Sequence, residues 1–465
     1  MVRLRTVLPL ASVAALAALA ACSSSSPASS TGPAPEWIDP PAGEIDVHEG
    51  RVTELTLRVR VRDPESVAVE PSSTGGLAIE VIRSEEPATD GLFHARLLLR
   101  AGYGLVDPTA RVDIVEAGTR ASFDLALRPH RLSWRSSTWE PSSGPPAREH
   151  GVFIVDREAH AAFLLQGSGY RPQWVPIGDA WRLDLATNAW SPWTPTGDVP
   201  PATAGMRVAH VPGTKTAYVH GGYTGSGSTE VTQGELYRVD LDRPDHTFTK
   251  LTSDGDGKAR YLHAIAYDAK GEQLVVFGGV RQTPRMMFFD DTWLVKIAGD
   301  RATWTKLETT TGPSARYGAF YAFDEPSRRF VVWSGGQLPK SAEDPVNPAK
   351  DAWALDLSVD PPAWSKLAPA GEAPPPRRNG CVMHDPVGRR LFVYGGTPDA
   401  RTDAEGLWVL SLEPGHEEWT KLDLPNAPPL RSSGFGFATP DGGVTCSFGN
   451  SAALYTDVNA LGYFD

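Results

Sequence analysis

From about Leu132 onward the chain repeats itself with a period of roughly 50 residues, the size of a unit that buries its faces only by stacking on copies of itself. Four features recur in a fixed order. An arginine opens a short strand: Arg148, Arg207, Arg260, Arg316, Arg377 and Arg431. An apolar strand then ends in a glycine pair, in the runs closing at Gly279, Gly336 and Gly396. An acidic residue two before an aromatic starts the next strand: Asp179 with Trp181, Glu235 with Tyr237, Asp291 with Trp293, Asp351 with Trp353. The last strand is aromatic and is usually followed by Lys-Leu, at Phe248, Trp304, Trp364 and Trp419, with Trp190 as the divergent first copy. Glycine ends a strand where the backbone must turn without a Cβ, and large aromatics fill the space between fanned sheets. Four strands per unit and no helical period predict an all-β ring or solenoid.

The glycine pairs and spaced tryptophans make these units resemble kelch repeats, and the resemblance implies a β-propeller. The ends of the chain set the expected blade count. The sixth unit has Arg431, a degraded Phe448-Gly449-Asn450 in place of the glycine pair and a third strand near Asp457 to Tyr463, and then stops. Its missing fourth strand is expected in Ser136-Ser137-Thr138-Trp139-Glu140-Pro141, so that an N-terminal strand completes the last blade and leaves no free edge. The reading is a six-bladed kelch-type β-propeller over residues 131–465.

Ahead of it, residues 36–130 alternate apolar and polar side chains: Leu55, Leu57, Val59 and Val61; Leu77, Ile79 and Val81; Phe93, Ala95, Leu97 and Leu99; Phe123, Leu125 and Leu127. Period-two alternation broken by turn clusters predicts an immunoglobulin-like β-sandwich. The chain opens with Arg3 and Arg5, an apolar run from Val7 to Ala21 too short and Ala-rich to span a bilayer, and small residues before Cys22. Leu19-Ala20-Ala21-Cys22 resembles a bacterial lipobox, which implies a signal peptide over 1–21, lipidation of Cys22 and a flexible, Ser-rich tether over 22–35. In lipoproteins, a serine such as Ser23 after the cysteine implies sorting to an outer membrane or the cell surface. The membrane is then a partner through Cys22. The net charge of -12 argues against nucleic acid, whose phosphates need a basic surface. Cys381 and Cys446 are the other two cysteines, in strands of neighbouring units. Export permits a disulfide between them, and two buried thiols fit the sequence equally.

Two roles fit the repeat arginines. Each locks its blade through backbone carbonyls, or some meet a carboxylate or phosphate of a ligand, for which the guanidinium fork is shaped. The second role makes Arg148, Arg207, Arg260, Arg316, Arg377 and Arg431 ligand-binding candidates around one mouth. Loops after the glycine pairs add Tyr170 and Trp174 in the first unit, Arg281 and Arg285 in the third, and the long Gln337–Lys350 loop of the fourth. His150, His210 and His263 sit near repeat positions and read as structural rather than as a metal set. Acidic pairs such as Asp290-Asp291 read as turn residues. No HExxH, GxSxG or P-loop is present, and no catalytic, metal or cofactor residues are assigned. The cysteine–tyrosine cross-link of kelch-propeller copper oxidases finds no match. The leading expectation is an envelope lipoprotein that binds a protein or glycan. A sugar epimerase or oxidase is the rival, and a purely structural protein the third reading.

Overall fold

Alternating side chains become paired strands in the computed structural model, which describes residues 33–84, 92–140, 142–170, 173–243, 247–254, 258–283, 285–339, 347–399 and 402–464. Cys22 and the signal segment lie outside these residues, as do Arg171, Pro172 and the centre of the Gln337–Lys350 loop. No α-helix occurs among the described residues.

In the N-terminal part, Val52–Arg60 pairs with Leu92–Ala101, which pairs with Leu77–Arg83. The register sets Leu57 opposite Ala95, Val59 opposite Phe93 and Ile79 opposite Leu99, so the alternating apolar sets share one face. A second sheet, Ala68–Ser73, Ala110–Glu116 and Thr119–Leu125, adds Val112 and Ile114 to the same core.

Beyond residue 131 the described residues form six successive sheets of three to five strands, with three two-stranded hairpins on the loops between second and third strands. The third is typical: Ala264–Asp268, Gln273–Phe277, Thr292–Ala298 and Arg301–Leu307 run antiparallel from inside to outside. Second strands such as Gln273–Phe277 and Arg390–Tyr394 are buried on both faces, because each sheet lies between two others. The sixth sheet combines both ends of the chain, with Leu132–Thr138 antiparallel to Asp457–Tyr463 and Val444–Ser447 inside it.

In the third to sixth sheets the aromatic of the fourth strand packs on the second strand of the preceding sheet. Ring centroids are 5.3 Å apart for Trp364 and Phe277, 5.0 Å for Trp419 and Trp333, and 5.4 Å for Trp134 and Tyr394. Trp134, opposite Leu461, therefore holds the position expected for Trp139. The strand starts four residues earlier than its serine run suggests, because Leu132 and Trp134 supply its inward apolar period. Trp139 lies just past the strand end, against Trp190 and Phe448.

Cys381 and Cys446 form a disulfide, with a Cα–Cα distance of 5.4 Å, which ties the fifth sheet to the sixth. The N-terminal sheets dock nearby through polar groups. Arg390, 2% exposed, donates to Asp385, to the Glu49 carbonyl and to the hydroxyls of Tyr103 and Tyr463. Arg51 pairs with Asp385 at 3.1 Å, and Arg100 with Glu413 at 2.9 Å.

Trp134 is 6% exposed at the seam that closes the ring. Trp134→Ala is expected to cost about 3–5 kcal/mol in denaturant unfolding, the range for a buried aromatic, and Trp139→Ala less than half of that.

Candidate functional site

Two closed cycles of backbone hydrogen bonds shape the inner end of the sheets. In the first, an amide at the glycine-pair position donates to a carbonyl of the next sheet: Gly167 to Thr203, Gly222 to Arg260, Gly279 to Arg316, Gly335 to Arg377, Gly396 to Arg431 and Gly449 to Arg148. In the second, His150, Ser433, Asn379, Gly318, Leu262 and Gly205 each donate an amide to the next carbonyl, and Gly205 returns to His150, at 2.5 to 3.1 Å. All six have positive φ, a conformation that non-glycine residues adopt only under tertiary constraint. The glycine pair follows from the same geometry. A Cβ on Gly395 (φ 65°) would lie 2.1 Å from the Arg431 carbonyl oxygen.

These contacts place the repeat arginines. Arg148, Arg260, Arg316 and Arg431 are at most 1% exposed and meet Asp179, Asp291, Asp351 and Asp457 at 2.5 to 2.8 Å. Each also donates Nη1 to a carbonyl of its own sheet, as Arg260 does to Gly278 at 2.9 Å. Arg377 is equally buried and bonds the carbonyls of Pro375, Gly395 and Glu405. As ligand-binding residues these five are corrected to intrasheet locks: the acidic residue at the start of the third strand fills the fork of Arg148, Arg260, Arg316 and Arg431, and backbone carbonyls take that of Arg377. Arg207 is placed differently. The hydrogen-bond cycle gives its sheet's equivalent position to Thr203, which leaves Arg207 four residues further on, in the inner strand Arg207–His210. Its recorded hydrogen bond is to the Met206 carbonyl at 3.0 Å.

The loops after the glycine pairs share one face. Tyr170 and Trp174 face each other across a short hairpin, 62% and 42% exposed, with ring centroids 6.0 Å apart. Met286 and the neighbouring Arg285 are exposed, whereas Phe289 packs inward beneath the Arg260 guanidinium. Arg281 is half-buried and donates to Met287 Sδ. Val231 and Leu338 are exposed on the second and fourth loops. Nearer the axis, Tyr223 packs on Tyr261 at 5.0 Å, and the Arg378 guanidinium lies 5.1 Å over Tyr317. Glu149, beside them, bonds Asn450 and Ser168 without a cationic partner close enough to offset its burial, and its pKa is pushed up to about 7.

The three singled-out histidines do not converge. His150 lies in the backbone cycle, and His210 Nε2 accepts the Val155 amide at 2.9 Å. His263 is buried against His220, with ring nitrogens 3.1 Å apart. Burial holds His150 at about 3 and His210 at about 4, so both are neutral at physiological pH. No group of three His, Cys, Asp or Glu among the described residues could hold a metal, and both cysteines among those residues are taken up in the disulfide, so neither has the free thiol that a cysteine–tyrosine cross-link needs.

The sequence reading missed the intersheet clamps at the opposite end of the inner strands. Asp268 pairs with Arg328 and Asp324 with Arg389, both at 2.7 Å. The Asp that ends four of the inner strands, Asp156, Asp268, Asp324 and Asp385, was the available signal.

The KLHDC2/KLHL20/DRC7 Kelch-repeats domain model matches residues 207–450. Among curated proteins, Adagio-like protein 1 of Oryza sativa subsp. japonica is 26% identical over 335 residues, 70% of this chain and 49% of that protein. Putative adagio-like protein 2 of the same organism is 26% identical over 352 residues, 73% of this chain and 52% of that protein. The chain thus spans about half the length of these relatives. Among solved structures, that of YjhT aligns at a TM-score of 0.49 and 14% identity, over 68% of this chain and 95% of that one. A fungal alcohol oxidase in complex with copper aligns at 0.46 and 12%, over 72% and 76%.

Two measurements test this site. Asp457→Ala strands Arg431 as an unpaired buried charge and is expected to cost about 3–5 kcal/mol in chemical denaturation, most of it recovered when Arg431→Leu is added to Asp457→Leu. Glu149 has a folded pKa of about 7, above its unfolded value of 4.5, so the fold holds the extra proton between those values and loses stability as pH rises through that window. Glu149→Gln should match wild type at pH 4 and exceed it by roughly 3 kcal/mol at pH 8.

Proposed function

This chain belongs to the kelch-repeat family, and on that premise we propose that it is a protein-binding scaffold, exported and held at the cell envelope by a lipid on Cys22. In this reading residues 131–465 are a six-bladed propeller, and residues 36–130 are an immunoglobulin-like spacer between it and the membrane. Six sheets joined by a six-membered backbone cycle support the blade count. A buried disulfide supports an oxidising compartment, where such bonds persist, and the lipobox-like Leu19-Ala20-Ala21-Cys22 supports the anchor.

One observation carries the scaffold reading. Tyr170, Trp174, Val231, Met286 and Leu338 are each more than 40% exposed, and they occupy the equivalent loops of the first four repeat units. Large apolar side chains gathered on one rim, with Arg285 beside them, have the composition of a protein-binding hot spot. The partner reads the loops, while the locked strands hold them in register.

The full chain carrying a photo-crosslinking residue at Trp174 tests this in the native envelope. A discrete protein adduct is expected, weakened at least tenfold by Met286→Ala with Leu338→Ala at unchanged melting temperature. Cys22→Ser should release the chain from the membrane fraction. A glycan adduct, or none, would sink the protein-partner reading.

A further inference from the structure

The ring of sheets encloses a channel of about 530 Å³ whose contents the docking face does not explain. Its walls are the inner strands, with apolar surface from Val152, Ile265, Val382 and Phe435. The residues lining it run from the backbone cycle, at His150, Asn379 and Ser433, to the turns that follow the inner strands, at Pro212 and Val387. The turn end belongs to the face opposite the glycine-pair loops, because each inner strand runs from one face to the other. The domain docked through Arg51 and Arg390 touches that same turn region of the fifth sheet.

Charge in the channel is arranged against the trend of the molecule. The chain as a whole carries -12, yet the cavity is lined by Arg207 and Arg157 with Glu325 as the acidic member. Burial, with Asp268 and Asp324 nearby, lifts the Glu325 pKa to about 7 and reduces its negative charge. Arg207 reaches toward the axis, where its charge is felt by His150 of the first sheet, His263 of the third and Tyr321 of the fourth. No carboxylate among the described residues pairs with it. Arg148, Arg260, Arg316, Arg328, Arg389, Arg390 and Arg431 each have one. A cation lining a largely apolar channel is stabilised by a counter-charge, and the described residues supply Arg207 with none. Asn379 Oδ1 and His384 Nε2, also in the lining, are buried polar atoms without a hydrogen-bond partner, so the cavity has further polar capacity to satisfy.

We propose that the channel is a binding site for a small organic carboxylate, its charged end held by Arg207 and its apolar body against Val152, Ile265 and Phe435. A guanidinium fork matches a carboxylate bidentately, and about 530 Å³ with largely apolar walls suits a ligand of this class rather than a bare inorganic ion. The site is independent of the loop face, on which the partner proposal rests.

Calorimetric titration of the full chain with hexanoate, hexanamide and inorganic phosphate, at matched ionic strength in chloride, tests the assignment. Hexanoate is expected to bind at one per chain, and hexanamide and phosphate at least tenfold more weakly. Arg207→Gln should abolish hexanoate binding while melting no lower than wild type, because it removes a charge that has no carboxylate partner among the described residues. Trp174→Ala with Met286→Ala should leave hexanoate binding unchanged, which separates this site from the docking face. If Arg207→Gln melts early, Arg207→Lys serves: it keeps the charge, loses the fork and should bind at least threefold more weakly. Undiminished binding in both Arg207 variants, equal binding of hexanamide, or a preference for phosphate would overturn the proposal.

Discussion

A cycle of six backbone hydrogen bonds, running through His150, Ser433, Asn379, Gly318, Leu262 and Gly205, is the constraint to which the other features answer. Each residue gives one amide and one carbonyl to its neighbours, so all six have both groups bonded only when the ring is complete. Closure forces positive φ at six places, four of them without a glycine. Only a structure that over-determines the backbone holds such conformations. The glycine pairs, the arginine carbonyls they meet and the aromatic wedges between sheets supply that determination.

Electrostatics follow from closure. Bringing inner strands together buries the arginine at the head of five units, and an unpaired guanidinium there would cost several kcal/mol. Asp179, Asp291, Asp351 and Asp457 remove that cost in four sheets. Arg377 relies on carbonyls instead, and its pKa is pushed down to about 10 by burial. The clamps between Asp268 and Arg328 and between Asp324 and Arg389 do similar work between sheets at the far end. With these charges internal and matched, the features left for recognition are an apolar rim on the loops and the two arginines lining the channel, Arg157 and Arg207.

The seam is reinforced where chain connectivity is missing. The sixth sheet joins residues more than three hundred positions apart, Leu132 opposite Tyr463, and its inner strand is reduced to isolated bridges such as Phe435 with Ser447. Here the Cys381–Cys446 bond ties it to the fifth sheet, and the Arg390 network fastens the N-terminal domain beside it. Loss of the seam exposes two sheet edges at once, which explains why covalent and ionic ties gather at this point.

The sequence by itself determined the class of fold, because alternation and repeated glycine–aromatic spacing are local signals: Leu57 with Val59, Gly278 with Gly279 and Trp304 with Leu307 announce their strands without reference to distant residues. It also marked the loops that carry Tyr170, Trp174 and Met286, since loops lie where the strand pattern stops. The tertiary structure decided the roles. Arg207 looks like its five counterparts in one dimension, and only the amide of Gly167 reaching Thr203 shows that it stands one turn of the pattern too late. Trp134 displaced Trp139 in the closing strand for the same reason. Register, burial and the pairing of charges depend on which residues meet across the ring, and no local run of sequence holds that information.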